Sequence, residues 1–351
     1  MNKRNNFTIL FFLVMFFMFI LKNISFANSE NNIKTYSEAC ILIESSTGKI
    51  LYEKNANEIK YPASTTKIMT AILALENCKL SDVATVSHNA IFSVPPSYSH
   101  ASLREGEKLT IEQLLYALLI PSANDAANVI AEHISGSVEK FAELMNEKAK
   151  EIGCKHTNFI NANGIHNKEH VTTAYDLSLI GSYAMKNNTF RKIVKSTRYT
   201  LPATEKYPKN DRIFNTTNEL LRENYSNSKE NYYYKYANGA KTGYTDEAGA
   251  CIVASAKKDE MEVIVVILGG HITKDGLSER FLDCKNLFDY AFENYELKTL
   301  NKKDSILKQV EILGATKETQ KLDVLVKDDI KVLVRKKTAK DKLQPNIQMN
   351  D

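Results

Sequence analysis

The chain has 351 residues, 43% hydrophobic and 25% charged, with 46 Lys and Arg against 42 Asp and Glu for a formal charge of +4. A balance this near neutral excludes net charge as a means of holding nucleic acid. No H-E-x-x-H, no paired C-x-x-C and no glycine-rich phosphate loop occurs, so zinc hydrolysis and nucleotide chemistry have no support and neither a metal nor another cofactor is implied.

Lys3 and Arg4 precede an apolar run from Phe7 to Leu21, followed by the small-residue site Ser25-Phe26-Ala27. This is the pattern of a signal peptide over residues 1–27, and it predicts export across the cytoplasmic membrane. The run falls short of the roughly 20 residues a spanning helix needs, which favours cleavage over retention as an anchor. Without Lys3, Arg4 and Lys22 the formal charge drops to +1. The remainder exceeds the usual size of one core, so two units are expected: residues 28–297, and a short β-rich module with a polar tail over 298–351. Cys40, Cys78, Cys154, Cys251 and Cys284 form an odd set without close spacing and read as buried free thiols.

In chain order, residues 39–45 and 49–53 are short apolar runs around Ser46-Thr47-Gly48 and predict a hairpin. From Thr65 to Asn77 the residues Ile68, Met69, Ile72, Leu73 and Leu75 recur at helical spacing, with Ser64 at the start and Pro62 just before it. Helical patterns dominate residues 80–190, at Ile111–Leu119, Ala126–Ile134, Val138–Ile152 and Ala174–Met185. Two β-branched runs, Ala250–Ala256 and Met261–Leu268, predict a buried hairpin, and Leu277–Tyr295 a closing helix. The sum is an α/β unit, an antiparallel sheet flanked by helices with an all-helical subdomain. Further on, the alternating runs beginning at Leu322 and Ile330 flank Lys327-Asp328-Asp329 and predict another hairpin, and Thr338–Asp351 reads as a mobile tail.

Serine attacks an amide poorly unless a neighbour accepts its proton, and a lysine can do so once its pKa is lowered. Ser64-Thr65-Thr66-Lys67 supplies that pair on one helix face. The helix N-terminus favours negative charge developing near Ser64, and desolvation with a nearby cation pushes Lys67 toward the neutral amine. Alone the spacing is weak, since S-x-x-K recurs at Ser46, Ser137, Ser226, Ser255 and Ser305. The copy at Ser64 follows a strand pair, opens an apolar helix, and precedes Ser122-Ala123-Asn124 and the single Lys241-Thr242-Gly243. That ordered trio is the signature shared by penicillin-binding proteins and one class of β-lactamases.

On these motifs, and on the blocks Pro62–Thr70, Ile120–Ala127, Asn163-Gly164-Ile165, Thr172–Leu177 and Gly239–Thr245, the sequence from about 35 to 297 resembles the low-molecular-mass penicillin-binding proteins. It is most similar to the serine D-alanyl-D-alanine carboxypeptidases that trim peptidoglycan. The resemblance implies a penicillin-binding-protein/β-lactamase-like fold and removal of the terminal D-alanine from stem peptides ending in D-Ala-D-Ala. It implies Ser64 as nucleophile, Lys67 as proton acceptor, Ser122 as relay to the leaving amine and Asn124 as a hold on the substrate backbone. Lys241 and Thr242 would bind the terminal carboxylate with Arg280 as second cation, and Gly243 would leave room for the peptide. The N–H groups of Ser64 and Tyr244 would form the oxyanion hole. β-Lactams are implied as covalent inhibitors, and the site of action lies outside the cytoplasmic membrane, at the wall or membrane surface.

Three positions depart from relatives. Ala123 stands where other branches carry Gly or Asp, Thr217 where some carry Arg, and the stretch from Lys340 on does not read as the membrane-lying helix that usually follows the family's last domain. Membrane attachment is thus unsupported by the tail. The alternatives are a D,D-endopeptidase, a β-lactamase, for which an E-x-x-L-N stretch between Ser122 and Lys241 is missing, and a non-catalytic wall-binding protein, which has no reason to retain Ser64 and Lys67.

Overall fold

The computed structural model describes residues 33–223, 230–311 and 321–336. The expected signal peptide and the whole of the expected tail, Thr338–Asp351, lie outside them. Strands β1 (Ala39–Glu44) and β2 (Ile50–Lys54) form the first hairpin. Its turn is tied down by the Glu44 carboxylate, which accepts from the amides and hydroxyls of Ser46 and Thr47. A 3-10 turn, Ala63–Thr66, then runs into helix α1 (Lys67–Asn77), so Ser64 precedes the α-helix proper.

The insert that follows contains β3 (Val83–Thr85), α2 (His88–Phe92), β4 (Lys108–Thr110), α3 (Ile111–Leu119), α4 (Asn124–Ser135), α5 (Val138–Ile152), α6 (Ala174–Ala184) and α7 (Asn188–Lys195). Its boundaries follow local chemistry. Thr110 and Gln113 cap α3 reciprocally, and Ser137 caps α5 through the Lys140 amide. The small β3–β4 sheet interrupts the helical run that sequence periodicity predicted. Helix α1 is buried from Lys67 to Ala74 and packs on α3, α4 and α6, so Ile68, Met69, Ile72 and Leu73 each contribute roughly 2 kcal/mol of burial.

After the short pair β5 (Arg198–Thr200) and β6 (Ile213–Asn215), the chain returns to the first hairpin as β7 (Ala237–Thr245), β8 (Gly249–Lys258) and β9 (Met261–Gly270). The order is β2-β1-β9-β8-β7, antiparallel throughout, with β9 pairing directly to β1. Strands β8 and β9 are buried on both faces, the reason they read as near-continuous apolar runs. Helix α8 (Glu279–Asn294) covers one face with Phe281, Leu287 and Phe288, and α6 lies against β1, β8 and β9. Truncating Phe288 to Ala would cost about 3–5 kcal/mol. Strand β7 is an edge, and its free side faces the helical insert.

The last strands are β10 (Tyr295–Asn301), β11 (Ile306–Glu311), β12 (Lys321–Leu325) and β13 (Ile330–Arg335). The predicted hairpin between the runs at Leu322 and Ile330 does not form: β12 pairs with β11, and β13 with β10. The link between them is drawn away by the 302–305 turn. Val326 exchanges backbone hydrogen bonds with Ser305 and Asp304, and Asp329 accepts from the Lys303 amide. Alternation marks a strand's two faces but does not name its partner. Of the five cysteines, four are buried and Cys78 is half-buried, and all are free.

Candidate active site

The 3-10 turn holding Ser64 is shaped from both sides. Inside it, the Thr65 amide and hydroxyl both donate to the Pro62 carbonyl. Ala63 sits at φ +46, a region L-residues rarely adopt, so outside contacts must hold it there. Gly164 presses on that residue, and a Cβ on Gly164 would lie 1.9 Å from the Ala63 carbonyl oxygen.

One turn along, the Lys67 side chain is fully buried. Its Nζ lies 2.9 Å from Ser64 Oγ, 2.7 Å from Asn124 Oδ1 and 2.5 Å from the Asn163 carbonyl oxygen. Burial pushes its pKa well below the usual lysine range, the positive charge of Lys241 adds to that, and Asp125 opposes it. Asp125 is itself engaged by the amides of Ala101, Leu103 and Ala126. The amine is therefore held in place by two oxygens and faces a hydroxyl with its third position.

Ser122 occupies the break between α3 and α4 at φ +69 and lines the cleft. Asn124, the first residue of α4, donates from Nδ2 to the Ser99 carbonyl while its Oδ1 takes Lys67. Both ends of that amide are engaged by protein groups, so its first task is to hold the lysine.

Strand β7 forms the opposite wall. A Cβ on Gly243 would stand 2.9 Å from the Ser64 backbone nitrogen, so only glycine lets strand and turn approach this closely. Thr242 Oγ1 meets Thr217 Oγ1 at 2.5 Å. Lys241 is 1% exposed and donates to the Thr242 carbonyl, so it stands inside the wall and acts on the cleft through its charge. Burial, and then Arg280, lower its pKa to about 7. Arg280 bridges the Gly243 and Cys251 carbonyls from α8, and Tyr244 is half exposed. Ser64, Ser122, Thr217, Thr242, Gly243 and Arg280 share a cleft of about 420 Å³.

Every site residue proposed from sequence thus borders the cleft or stands directly behind it. Sequence reasoning missed the Asn163 carbonyl, which as a backbone group carries no side-chain signal; only the Asn163-Gly164 turn dipeptide marks the spot. It also missed His170. The Ile160 amide donates to His170 Nδ1, which leaves Nε2–H to donate to Thr66 Oγ1, between Ser64 and Lys67 in the chain.

This fold, with a serine hydroxyl beside a buried lysine amine, defines a serine hydrolase on the scaffold of the penicillin-binding proteins. Residues 25–271 match the D-alanyl-D-alanine carboxypeptidase family. The chain is 34% identical over 321 residues to D-alanyl-D-alanine carboxypeptidase DacF of Bacillus subtilis, covering 90% of this chain and 77% of that protein. It is 35% identical over 257 residues to a D-alanyl-D-alanine carboxypeptidase of a Streptomyces species, covering 70% and 84%. Among solved structures it superposes on a Streptomyces DD-transpeptidase with a TM-score of 0.66 at 32% identity, covering 74% of this chain and 98% of that one. A peptidoglycan synthesis regulatory factor of Streptococcus pneumoniae gives 0.75 at 25% identity, with 88% and 87% covered. The chain belongs to the D-alanyl-D-alanine carboxypeptidase family.

Proposed function

We propose that this enzyme removes the terminal D-alanine from peptidoglycan stem peptides through an ester on Ser64. The observation that carries the assignment is the setting of Lys67 Nζ between Ser64 Oγ, Asn124 Oδ1 and the Asn163 carbonyl. A charged ammonium has three donors, whereas the neutral amine that burial favours has two and a lone pair. The two N–H groups satisfy Asn124 and Asn163, and the lone pair is left facing the Ser64 hydroxyl.

In acylation the Ser64 proton passes to Lys67 as Oγ bonds to the penultimate D-Ala carbonyl carbon. Charge on the carbonyl oxygen develops against the N–H groups of Ser64 and Tyr244. The C–N bond then breaks, and Ser122 relays a proton to the departing amine. Water attacks the ester in the second half and restores Ser64. Thr242, Arg280 and the field of Lys241 hold the terminal carboxylate, and Gly243 lets the peptide lie along β7. A β-lactam enters the same steps, but its leaving group stays tethered and obstructs water.

The apolar leader over residues 1–27 supports export and action outside the cytoplasmic membrane, and the strands β10 to β13 support reading 298–351 as a β-rich module beside a catalytic unit of residues 28–297. The test is labelled penicillin followed by peptide mapping. The adduct is expected on Ser64, and Ser64→Ala is expected to abolish both the adduct and D-alanine release; an adduct elsewhere overturns the assignment.

A further inference from the structure

Resting on the carboxypeptidase reading, we propose that Asn128 and Asn163 are positioning residues for Lys67: their side-chain amides pair between α4 and the 161–165 loop and fix the carbonyl that takes one N–H of the lysine. Asn128 lies one turn beyond Asn124 on the same face of α4, and the cleft is lined by other residues. Its Oδ1 accepts from Asn163 Nδ2 at 3.0 Å, while its own Nδ2 donates to the Ala90 carbonyl at 3.3 Å and to Ser93 Oγ at 3.1 Å. At the other end of the Asn163 amide, Oδ1 accepts from the Ile165 backbone N–H at 2.9 Å. A backbone carbonyl at Ala90 and a backbone N–H at Ile165 have fixed senses, so neither amide can turn over.

The pair acts through the Asn163 peptide. Asn161 Oδ1 accepts from the amides of Asn163 and Gly164, which bends the loop into a turn. That turn presents two consecutive carbonyls to one face of α1: Ala162 accepts from Thr70 Oγ1 and Asn163 from Lys67 Nζ, each at 2.5 Å. Lys67 and Thr70 are three residues apart, so the loop meets the helix in a single register. Asn128 and Asn163 are only 3% and 4% exposed, so a lost bond between them is not made good by solvent. Helix α4 thereby sets both acceptors of Lys67, one directly through Asn124 Oδ1 and one through Asn128 and the Asn163 peptide. Two fixed N–H directions leave the lone pair of the neutral amine one direction, toward Ser64 Oγ.

The test follows acylation of the full chain by labelled penicillin over a range of concentrations, which separates the limiting rate constant from the half-saturating concentration. Asn163→Ser keeps the backbone carbonyl and an oxygen able to accept from the Ile165 amide, and removes the bond to Asn128. Asn128→Ala removes the same bond from the other side. Each is expected to lower the limiting rate constant by about tenfold or more and to leave the half-saturating concentration within about twofold, because the loss falls on alignment and spares binding. The double variant is expected to be no slower than the slower single one, since both changes delete one interaction. Ser93→Ala, which frees only the far end of Asn128, is expected to stay within about twofold of the unaltered chain. A folded Asn163→Ser variant with an unchanged limiting rate constant overturns the inference and leaves the carboxypeptidase reading standing, as does a change confined to the half-saturating concentration. Loss of the fold in both single variants assigns the pair to the core and overturns it as well. No adduct on Ser64 in the unaltered chain overturns both readings.

Discussion

Gly164 and Ala63 meet so closely that a single methyl group on Gly164 would occupy the space of the Ala63 carbonyl. The turn that carries Ser64 is therefore held by a loop a hundred residues away, and at φ +84 that loop position already disfavours any side chain. Gly164→Ala is expected to move Ser64 relative to Lys67 and to slow acylation by labelled penicillin by about 100-fold or more, as misplacement of reacting groups does. A lowered Tm should accompany it. Wild-type acylation in this variant would show that the turn keeps its shape unaided.

The Gly243 contact makes a different forecast, because β7 is an edge strand. Gly243→Ala is expected to push the strand from the Ser64 amide and to lower kcat/KM for peptide far more than it lowers Tm. A variant with normal kcat/KM would remove β7 from the oxyanion and substrate geometry proposed above.

In the proposed mechanism, two lysines of opposite duty set the pH profile. Lys67 must lose its proton to act, so kcat/KM rises with pH through its depressed pKa. Lys241 must keep its proton to attract a carboxylate, so kcat/KM falls as pH passes about 7, where it neutralises in the free enzyme. A bound carboxylate favours its charged form, which moves that limb upward in kcat. Lys241→Gln is expected to remove the alkaline limb and shift the acid limb upward, since the charge of Lys241 helps depress Lys67. Unmoved limbs in that variant would rule out this coupling.

Stability below neutrality depends on His170. It is 2% exposed, and burial, followed by the Lys67 and His166 charges, lowers its pKa to about 3. Unfolded histidine takes up a proton near pH 6.5, while the folded protein does not until about 3. The unfolded state thus binds more protons across that window, and stability is lost as pH falls through it, by about 1.4 kcal/mol per unit at most and a few kcal/mol in all. Urea unfolding at pH 7, 5.5 and 4.5 should show the slope, and His170→Asn should flatten it. An equal slope in the variant would assign the acid sensitivity to other groups.

What was legible without coordinates was local. Ser64 and Lys67 are three residues apart, and helical geometry places them on one face whatever surrounds them. The bounds of α3 and α5 could be read because periodicity and caps act over a few residues, and β8 and β9 because both faces are buried. The pairing of β12 with β11 was not legible, since alternating strands are interchangeable until tertiary contacts choose between them.

At the site, the amino-acid order determined which groups are chemically able to attack, accept a proton and hold an anion. Tertiary structure alone decided their state. Burial and the charge of Lys241 push Lys67 toward the neutral amine, while Asn124, from another helix, and the Asn163 carbonyl, from a distant loop, accept from it and hold it in place. Lys241 is likewise placed within the wall by the packing of β7, where burial brings its charge within reach of neutral pH. Desolvation depends on everything packed around a group, and a linear pattern does not specify what that will be.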